Sequence, residues 1–307
     1  MSLPLIAITA GDPSGIGPEI AVKAASDARV VAVCRPVIYG PHTAEALEAF
    51  PAGRVDASSG RAAHAAIVAA TNDAMAGKMA AIVTAPINKA AFAAAGFPWR
   101  GHTDLLAELC GVPDVVMMFW SEPLRVVLAT VHIPLAEVPG ALTHDRLMTV
   151  IELTAREMPG FGYAAPRLAV AGVNPHAGED GLLGREDGDV IRPVVAEARA
   201  RGIDVKGPFP ADTLFVRASK GEFDVVVAAY HDQGLIPVKL IAFGRAVNVT
   251  LGLPIVRTSV DHGTAFDIAR KGIADEGSLV EAILLAAKLA STRRAPGQHQ
   301  PSSSPGR

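Results

Sequence analysis

The sequence predicts an α/β protein in which parallel strands alternate with helices. Short apolar runs rich in valine and isoleucine recur along the chain, and alanine-rich stretches with helical spacing lie between them. Most of the runs are continuous rather than alternating, which is typical of strands that helices cover on both faces. Such β/α alternation favours parallel sheets joined by helical crossovers.

Seven strands and six helices are predicted in detail. The strand candidates are Leu5–Thr9, Val30–Tyr39, Ala80–Thr84, Val115–Met118, Leu124–Thr130, Arg167–Gly172 and Val225–Ala229. The helix candidates are Gly17–Ser26, Ala62–Ala76, Thr103–Cys110, Arg146–Glu157, Val190–Arg201 and Ser278–Thr292. The last residues, 292–307, are rich in Pro, Ser, Gly and Gln without periodicity, which predicts a disordered tail.

Composition narrows the class of protein. The chain has 307 residues, of which 50% are hydrophobic, and a net charge of -3, so no basic excess favours nucleic acid as a partner. Cys34 and Cys110 match no CxxC spacing and are expected to be buried free thiols, as in a reducing compartment. The apolar start carries no Lys or Arg, which indicates a buried first strand rather than a signal peptide. No apolar run is long enough for a membrane span, and a cytoplasmic location is expected.

A glycine-rich turn, Gly11 to Gly17, follows the first predicted strand and precedes a helix. It lacks the third glycine of the GxGxxG dinucleotide fingerprint and the lysine of a Walker loop. A tight strand-to-helix turn with Pro18 in the first helical turn therefore explains it best, although a helix N-terminus that faces a cleft can attract an anion.

Histidines give the strongest chemical signal. Five of nine occupy strand ends or Gly-rich loops with distinctive neighbours: His102, His132, His176, His231 and His262. Because strand-end loops converge in open α/β sheets, three of these imidazoles could hold a divalent metal, although spacing alone does not select which. The remaining histidines are interpreted as surface residues (His64, His144, His299) or as part of a turn into a helix (His42).

Two further patterns suggest an anionic ligand and a cofactor. Lys239, Arg245 and Arg257 follow His231 together with Asn248, and their apolar neighbours favour inward-facing cations, which need a partner. The small-residue loop from His262 to Ala269 opens a predicted helix, so its backbone can approach a flat or anionic group.

Taken together, these segments resemble the 4-hydroxythreonine-4-phosphate dehydrogenase family of vitamin B6 synthesis. The resemblance runs from Gly11 to about Leu289 and rests most on Asn174–Gly178, Pro210–Phe215, Tyr230–Gly234, Asn248–Pro254 and Arg257–Thr264. It implies two α/β/α halves with a cleft between them, as in isocitrate and isopropylmalate dehydrogenases. The first half would comprise residues 1–101 and 245–291, and the second, with the dimer interface, residues 102–244. The stretch between Gly40 and Ala80 looks shorter than is usual in the family.

The resemblance also implies a site. Metal ligands fall on His132, His176 and His231, and substrate contacts on His102, Thr103, Lys239, Asn248 and Arg257. Asp212, as a base or as a group that steers the metal, and Lys239 are the catalytic candidates. NAD or NADP is expected against His262, Gly263, Thr264, Ala265 and Asp267. The resemblance further implies a homodimer, and the one divalent metal expected at the site is zinc, cobalt or magnesium.

The implied reaction is the oxidation of 4-(phosphooxy)-L-threonine followed by decarboxylation. Relatives that oxidise 4-phosphorylated threonate or erythronate, or an aromatic dihydrodiol dicarboxylate, share most of the motifs. Two other classes stay open on the residues alone: a phosphotransferase that uses the Gly11–Gly17 turn, and a non-catalytic protein of the same fold that binds a metal or a phosphate ligand. The missing Walker lysine argues against the former, and the intact histidines with Lys239 and Arg257 argue against the latter.

Overall fold

A computed structural model of the chain describes residues 3–293. Its strands are β1 (Leu5–Thr9), β2 (Arg35–Tyr39), β3 (Ala81–Thr84), β4 (Val116–Trp120), β5 (Arg125–Leu128), β6 (Leu168–Ala171), β7 (Val205–Phe209), β8 (Val225–Ala228), β9 (Val247–Leu251) and β10 (Arg257–Ser259). Its helices are α1 (Gly17–Ala25), α2 (Ala28–Val33), α3 (Ala44–Leu47), α4 (Ala57–Met75), α5 (Lys89–Ala94), α6 (His102–Cys110), α7 (Val138–Ala141), α8 (His144–Glu157), α9 (Arg192–Ala200), α10 (Ala211–Ser219), α11 (His231–Ala242) and α12 (Gly277–Arg293).

The strands form one sheet in the order β2-β1-β3-β10-β9-β4-β5-β8-β6-β7. The outer strands on each side pair in parallel, as the β/α alternation predicts. The centre differs from that prediction, because β9 pairs antiparallel with β10 and with β4, and β4 pairs antiparallel with β5. The predicted division into two halves would separate β9 from β4, and it stays a prediction.

The two faces of this sheet are covered differently. On one face, α1, α8, α9 and α12 pack into a single apolar core that runs across the sheet. On the other face, α10 and α11 pack with the strands into one core, and α4, α5 and α6 pack into another. The α/β class is therefore confirmed, with helices on both faces, and the second face leaves a gap between its two cores.

Several predicted elements agree with the structure and others do not. The first strand is buried as expected, since Ile6, Ala7, Ile8 and Thr9 are all fully buried. The predicted strand Val30–Tyr39 is wrong in its first part, because the Asp27 carboxylate caps α2 by accepting from the backbone N–H of Arg29 at 2.7 Å. The helix α12 also continues through residues 292 and 293, where the tail was predicted to begin, and the rest of that tail lies outside the described residues.

Three strands and six helices escaped the sequence-based prediction, namely β7, β9 and β10, and α2, α3, α5, α7, α10 and α11. The strands β7, β9 and β10 carry Lys206, Asn248 and Arg257, which interrupt their apolar pattern. The helix α11 contains Gly234 and Pro237, two residues that usually end a helix. A Cβ at position 234 would lie 2.7 Å from the Leu128 side chain, so glycine lets α11 pack close to β5. Within residues 3–293, no helix is both long and apolar enough to cross a membrane.

Candidate active site

A cavity of about 450 Å³ lies in the gap between the two cores on the second face of the sheet. Its apolar floor comes from alternate residues of β4 and the position before it, Val115, Met117 and Phe119, which point to one face of the strand. Polar side chains from four other elements surround this floor: His102 and Thr103 of α6, His231 and Lys239 of α11, Asn248 of β9 and Arg257 of β10. The structure thus brings all five predicted substrate contacts to one cavity.

Three polar atoms in the cavity wall are buried without a hydrogen-bond partner among residues 3–293. They are Nε2 of His102, Oδ1 of Asn248 and the Nε of Arg257. An unsatisfied buried polar group costs about 1–3 kcal/mol, so native proteins rarely keep several of them together. Three such atoms around one cavity indicate a polar ligand that supplies the missing hydrogen bonds.

Arg257 is the most deeply placed cation of this wall. Its side chain is 2% exposed, and its terminal nitrogens donate only to hydroxyl oxygens, to Thr250 Oγ1 at 2.9 Å and to Thr84 Oγ1 at 2.7 Å. Burial without a carboxylate lowers the pKa of the Arg257 guanidinium to about 9. The cavity therefore holds a positive charge that an anionic ligand would stabilise.

His102 opens the helix α6 beside Arg257. Burial and the neighbouring Arg257 charge lower the pKa of the His102 imidazole well below its ordinary value, so this imidazole is neutral at neutral pH. The residue before it, Gly101, makes no side-chain cap to the helix. The first-turn N–H groups of α6 are consequently available to an anion, and Thr103 adds a hydroxyl donor.

Two of the three predicted metal ligands meet at this cavity. The rings of His132 and His231 lie 5.5 Å apart between centroids, after β5 and β8 respectively. Burial, with the nearby charges of Lys89 and His231, lowers the pKa of His132 and favours the neutral form that metals bind. The Asp232 carboxylate contacts Nδ1 of His231 at 2.7 Å, which leaves Nε2 free, as in a carboxylate-oriented metal ligand.

The third predicted ligand, His176, does not line this cavity. It is exposed on the turn Pro175–Gly181, in which the six successive residues from His176 to Gly181 adopt positive φ. Buried Asp187 stabilises this turn by accepting from the backbone N–H groups of Val173 and Asn174 at 2.9 and 3.1 Å. Within residues 3–293 of one chain, no three His, Cys, Asp or Glu side chains form a group that could hold a metal.

Asp212, the proposed base, is also exposed and outside the cavity. It lies in the first turn of α10, and α10 packs against the turn that carries His176. One chain therefore presents two separate groups of candidate ligands, His132 with His231 at the cavity and His176 near the Asp212 helix.

The predicted cofactor loop reaches the same cavity at one end. His262 and Gly263 line it, and a Cβ on Gly263 would meet no atom within 4 Å, so the backbone there is open to a ligand. The prediction that this loop opens a helix is wrong: Phe266–Ile268 forms one 3-10 turn, and the next helix is α12. Ala265 enters that turn with a left-handed φ of 40°, and Asp267 is exposed beside it.

The glycine-rich turn after β1 supports this loop. A Cβ at Gly15 would lie 2.7 Å from the backbone oxygen of Thr264, and one at Gly17 would lie 2.1 Å from that of Ala10. Glycine is therefore required there for close packing, which agrees with the interpretation of the turn as structural.

The remaining predicted residues are placed as follows. His144 is exposed and contacts Glu197, and His42 lies in the turn before α3, both as expected. His64 is not a simple surface residue, since its half-buried ring stacks on Phe97 at 4.2 Å. His299 lies outside the described residues. Arg245 is exposed in a different groove, Cys34 is buried and Cys110 is only half-buried.

Several cavity residues were missed from the sequence. They are Lys89, Arg100, Asp104, Arg146 and Asp261. Lys89 had a usable signal, because it lies in the loop after the predicted strand Ala80–Thr84. It follows Asn88, which caps α5 by accepting from the backbone N–H of Ala91. Arg146 had none, because it lies in the first turn of an amphipathic helix, where an arginine is ordinary.

Comparison with known proteins shows the family of the chain. The family model of the pyridoxal phosphate biosynthetic protein PdxA matches residues 17–286. The chain belongs to the PdxA family. It is 46% identical to 4-hydroxythreonine-4-phosphate dehydrogenase of Desulforapulum autotrophicum, over 92% of this chain and 95% of that protein. It is 45% identical to D-threonate 4-phosphate dehydrogenase of Cupriavidus necator, over 95% of this chain and 99% of that protein.

A solved structure of this PdxA family supports the fold. The crystal structure of 4-hydroxythreonine-4-phosphate dehydrogenase from Klebsiella pneumoniae superposes with a TM-score of 0.85 at 41% identity, over 94% of this chain and 98% of that one. The chain is accordingly a PdxA-family dehydrogenase, an oxidoreductase. Relatives of almost equal identity are named for two different substrates, 4-hydroxythreonine 4-phosphate and D-threonate 4-phosphate. Family membership therefore does not identify the substrate, which has to be inferred from the residues of the cavity.

Proposed function

We propose that this protein oxidises the secondary hydroxyl of 4-(phosphooxy)-L-threonine with NAD or NADP. The β-keto acid that results loses carbon dioxide to give 3-amino-2-oxopropyl phosphate, a step of pyridoxal phosphate biosynthesis. The observation that carries this proposal is the set of unpartnered buried atoms of His102, Asn248 and Arg257 around one cavity. The buried charge of Arg257 favours an anionic group, and Asn248 Oδ1 needs a donor, so a small polar ligand that carries both fits these atoms.

The phosphate group would lie at the donor-rich end of the cavity. Arg257 and the N-terminus of α6 supply charge and backbone donors there, and Thr103 supplies a hydroxyl. A phosphate dianion has three acceptor oxygens and two charges, so it needs more donors than a carboxylate does. This end of the cavity provides them, and Arg257 forms no ion pair with a carboxylate among residues 3–293, although Asp104 in the first turn of α6 also lines the cavity.

A divalent metal, when bound by His132, His176 and His231, would lower the pKa of the substrate hydroxyl, while NAD or NADP accepts the hydride. One chain provides two of these ligands at the cavity and displays the third elsewhere. A homodimer in which each copy contributes His176 to the other copy's cavity would complete both sites by symmetry. The exposed apolar stripe Ile236, Leu240 and Phe243 on and after α11, with side chains 65–85% exposed, offers a surface for such an interface.

Lys239 is the proposed proton acceptor. It lines the cavity from α11, is half-buried, and has no hydrogen-bond or ion-pair partner among residues 3–293, whereas Asp212 lies outside the cavity of its own chain. Loss of the hydroxyl proton and transfer of the C–H hydride leave a ketone next to the carbon that bears the carboxylate. The bond to the carboxylate then breaks, its electron pair enters the ketone as an enolate, and carbon dioxide leaves. The enolate takes up a proton at the carbon that carried the carboxylate, which gives the aminoketone product.

D-threonate 4-phosphate is the second candidate substrate. It carries a hydroxyl where the threonine derivative carries an ammonium group, and is therefore the more negative molecule. The cavity wall favours it in one respect, because it includes Lys89, Arg100, Arg146, Lys239 and Arg257 but only two carboxylates, Asp104 and Asp261.

Formation of NADH or NADPH on a substrate panel tests the proposal. The panel comprises 4-(phosphooxy)-L-threonine, D-threonate 4-phosphate, D-erythronate 4-phosphate and an aromatic cis-dihydrodiol dicarboxylate, each supplied with zinc, cobalt or magnesium. The threonine derivative should give the highest kcat/KM. A higher value for threonate would transfer the assignment to the second candidate, and no reduced cofactor with any substrate would refute a dehydrogenase and favour a non-catalytic binding protein.

A further inference from the structure

Arg146 lines the active-site cavity from an element that carries none of the other cationic residues of the cavity. Arg146 lies in the first turn of α8, whereas Arg257 lies on β10 and Lys239 on α11. Two contacts fix its position. Its backbone N–H donates to the Thr143 cap at 3.2 Å, and its Nε donates to the backbone oxygen of Ala129, at the end of β5, at 2.8 Å.

These contacts use only one of the five side-chain N–H donors of Arg146. No carboxylate forms an ion pair with this side chain among residues 3–293, and the side chain is half-buried. Burial lowers the pKa of the Arg146 guanidinium, and Asp114 only partly opposes that effect. Of the other cations that line the cavity, Lys89 and Arg100 are exposed, so water can solvate them, and Lys239 is the proposed proton acceptor. Arg146 therefore resembles Arg257 in having a desolvated charge without an ion-pair partner among residues 3–293.

We propose that Arg146 binds the carboxylate of the substrate, at the opposite end of the molecule from the phosphate. The assignment rests on the proposed function, and it follows from the number of donors at each end. The phosphate takes the crowded end near His102, Thr103 and Arg257, and one guanidinium with free terminal nitrogens matches the two oxygens of a carboxylate. Because threonate and threonine 4-phosphates both carry this carboxylate, the assignment holds for either substrate.

This contact would orient the substrate rather than assist the loss of carbon dioxide. An ion pair stabilises the carboxylate, and it therefore opposes cleavage of the bond that releases carbon dioxide. The expected contribution of Arg146 is to binding and to the position of the C–H bond relative to the cofactor. The residue is thus a substrate-binding residue.

The variants Arg146→Gln and Arg146→Lys test the assignment, with Arg199→Gln, an exposed position on α9, as the matched control. For whichever phosphorylated acid the wild-type enzyme oxidises, R146Q should raise KM on the order of 10- to 100-fold, and R146K less. The inhibition constants of inorganic phosphate and of erythritol 4-phosphate, which lacks the carboxylate, should stay within about twofold of the wild-type values. R199Q should leave all of these unchanged.

Two results would overturn the assignment. An unchanged KM in R146Q would show that Arg146 does not bind the substrate. An equal loss for the substrate and for erythritol 4-phosphate would place Arg146 at the phosphate, or would mean that it only supports the Ala129 backbone. A lower melting temperature of R146Q would accompany the latter case and separate the two. A wild-type enzyme that oxidises nothing in the panel would instead refute the proposed function, before any variant is compared.

Discussion

The backbone N–H of Ile16 donates a hydrogen bond of 3.0 Å to the backbone oxygen of Thr264. This bond joins the glycine-rich turn after β1 to the loop that carries His262 and Gly263 into the cavity. On the sequence alone, both the Gly11–Gly17 turn and the His262 loop are candidate cofactor-binding segments. In the structure they are neighbours, and the turn supports the loop. Their contact makes the roles of the two loops separable by substitution.

Gly15→Ala should raise the KM for the cofactor more than the KM for the substrate. The added Cβ would lie 2.7 Å from the Thr264 oxygen, so the Thr264 loop must move. Gly140→Ala is the matched control, because a Cβ there meets nothing within 4 Å and its φ is not positive. Steady-state kinetics with each ligand varied in turn check this, and equal changes in both KM values would contradict it.

His262→Ala and Gly263→Ala should weaken cofactor binding without affecting the fold. His262 is exposed, and a Cβ at position 263 has free space in the protein, so any loss reflects the ligand that approaches there. The measurement is the dissociation constant of NADH or NADPH by fluorescence, with melting temperature as the control for the fold. If both variants bind the cofactor normally, the cofactor does not contact this loop.

The sequence predicted the strands around the site better than the strands that carry the site residues. Strands with continuous apolar runs, such as β1, β3 and β8, were found because burial on both faces leaves a clear pattern. The strands β9 and β10 were missed because Asn248 and Arg257 face the cavity and interrupt that pattern. Residues that serve function thus weaken the very signals by which their elements are recognised.

The partition of the histidines shows the other limit of the sequence. All five selected histidines lie in loops or at helix starts, but only His102, His132, His231 and His262 line the cavity. A position after a strand indicates at which edge of the sheet a residue lies. It does not indicate whether the side chain points into the cavity or away from it. For His176 that direction is set by a left-handed turn around Asp187, which no local propensity predicts.

Mixing the variants His132→Ala and His176→Ala tests whether the metal site is shared between two copies. Each variant alone should lose bound metal and activity. After subunit exchange, half of the dimers are mixed, and one of the two sites in each mixed dimer is intact, so about one quarter of the wild-type activity should return. Mixing His132→Ala with His231→Ala should restore none, because both residues belong to the same cavity. Absence of recovery in the first mixture, with exchange verified, would refute the shared site.

Arg257→Gln should weaken binding of the phosphate end of the substrate. Loss of a charge-assisted contact costs about 1.5–3 kcal/mol, or roughly 10- to 100-fold in KM. In contrast to Arg146→Gln, this variant should also raise the inhibition constant of inorganic phosphate. Unchanged inhibition by phosphate would show that Arg257 binds another part of the ligand. Melting temperature again separates a binding effect from a loss of the hydrogen bonds to Thr84 and Thr250.

Asp12 should make the stability of the protein depend on pH. Its side chain is 1% exposed, and burial raises the pKa of its carboxyl from 3.8 to about 6. Between these two pH values the folded chain binds the proton more tightly than the unfolded chain does. The free energy of unfolding therefore falls as pH rises through this interval, by up to about 3 kcal/mol.

Asp12→Asn removes this titration and keeps a side-chain oxygen for the backbone N–H of Ser14, which donates to Asp12 at 2.8 Å. The two proteins can differ in stability at pH 4. As pH rises to 7, the free energy of unfolding of the variant should increase relative to that of the wild type, because only the wild type must bury a charge. Melting temperatures of both proteins across this range check the trend, with Asp204→Asn, an exposed position, as the control. A difference that stays constant with pH would mean that Asp12 keeps an ordinary pKa in the folded protein, with a hydrogen bond that compensates for its burial.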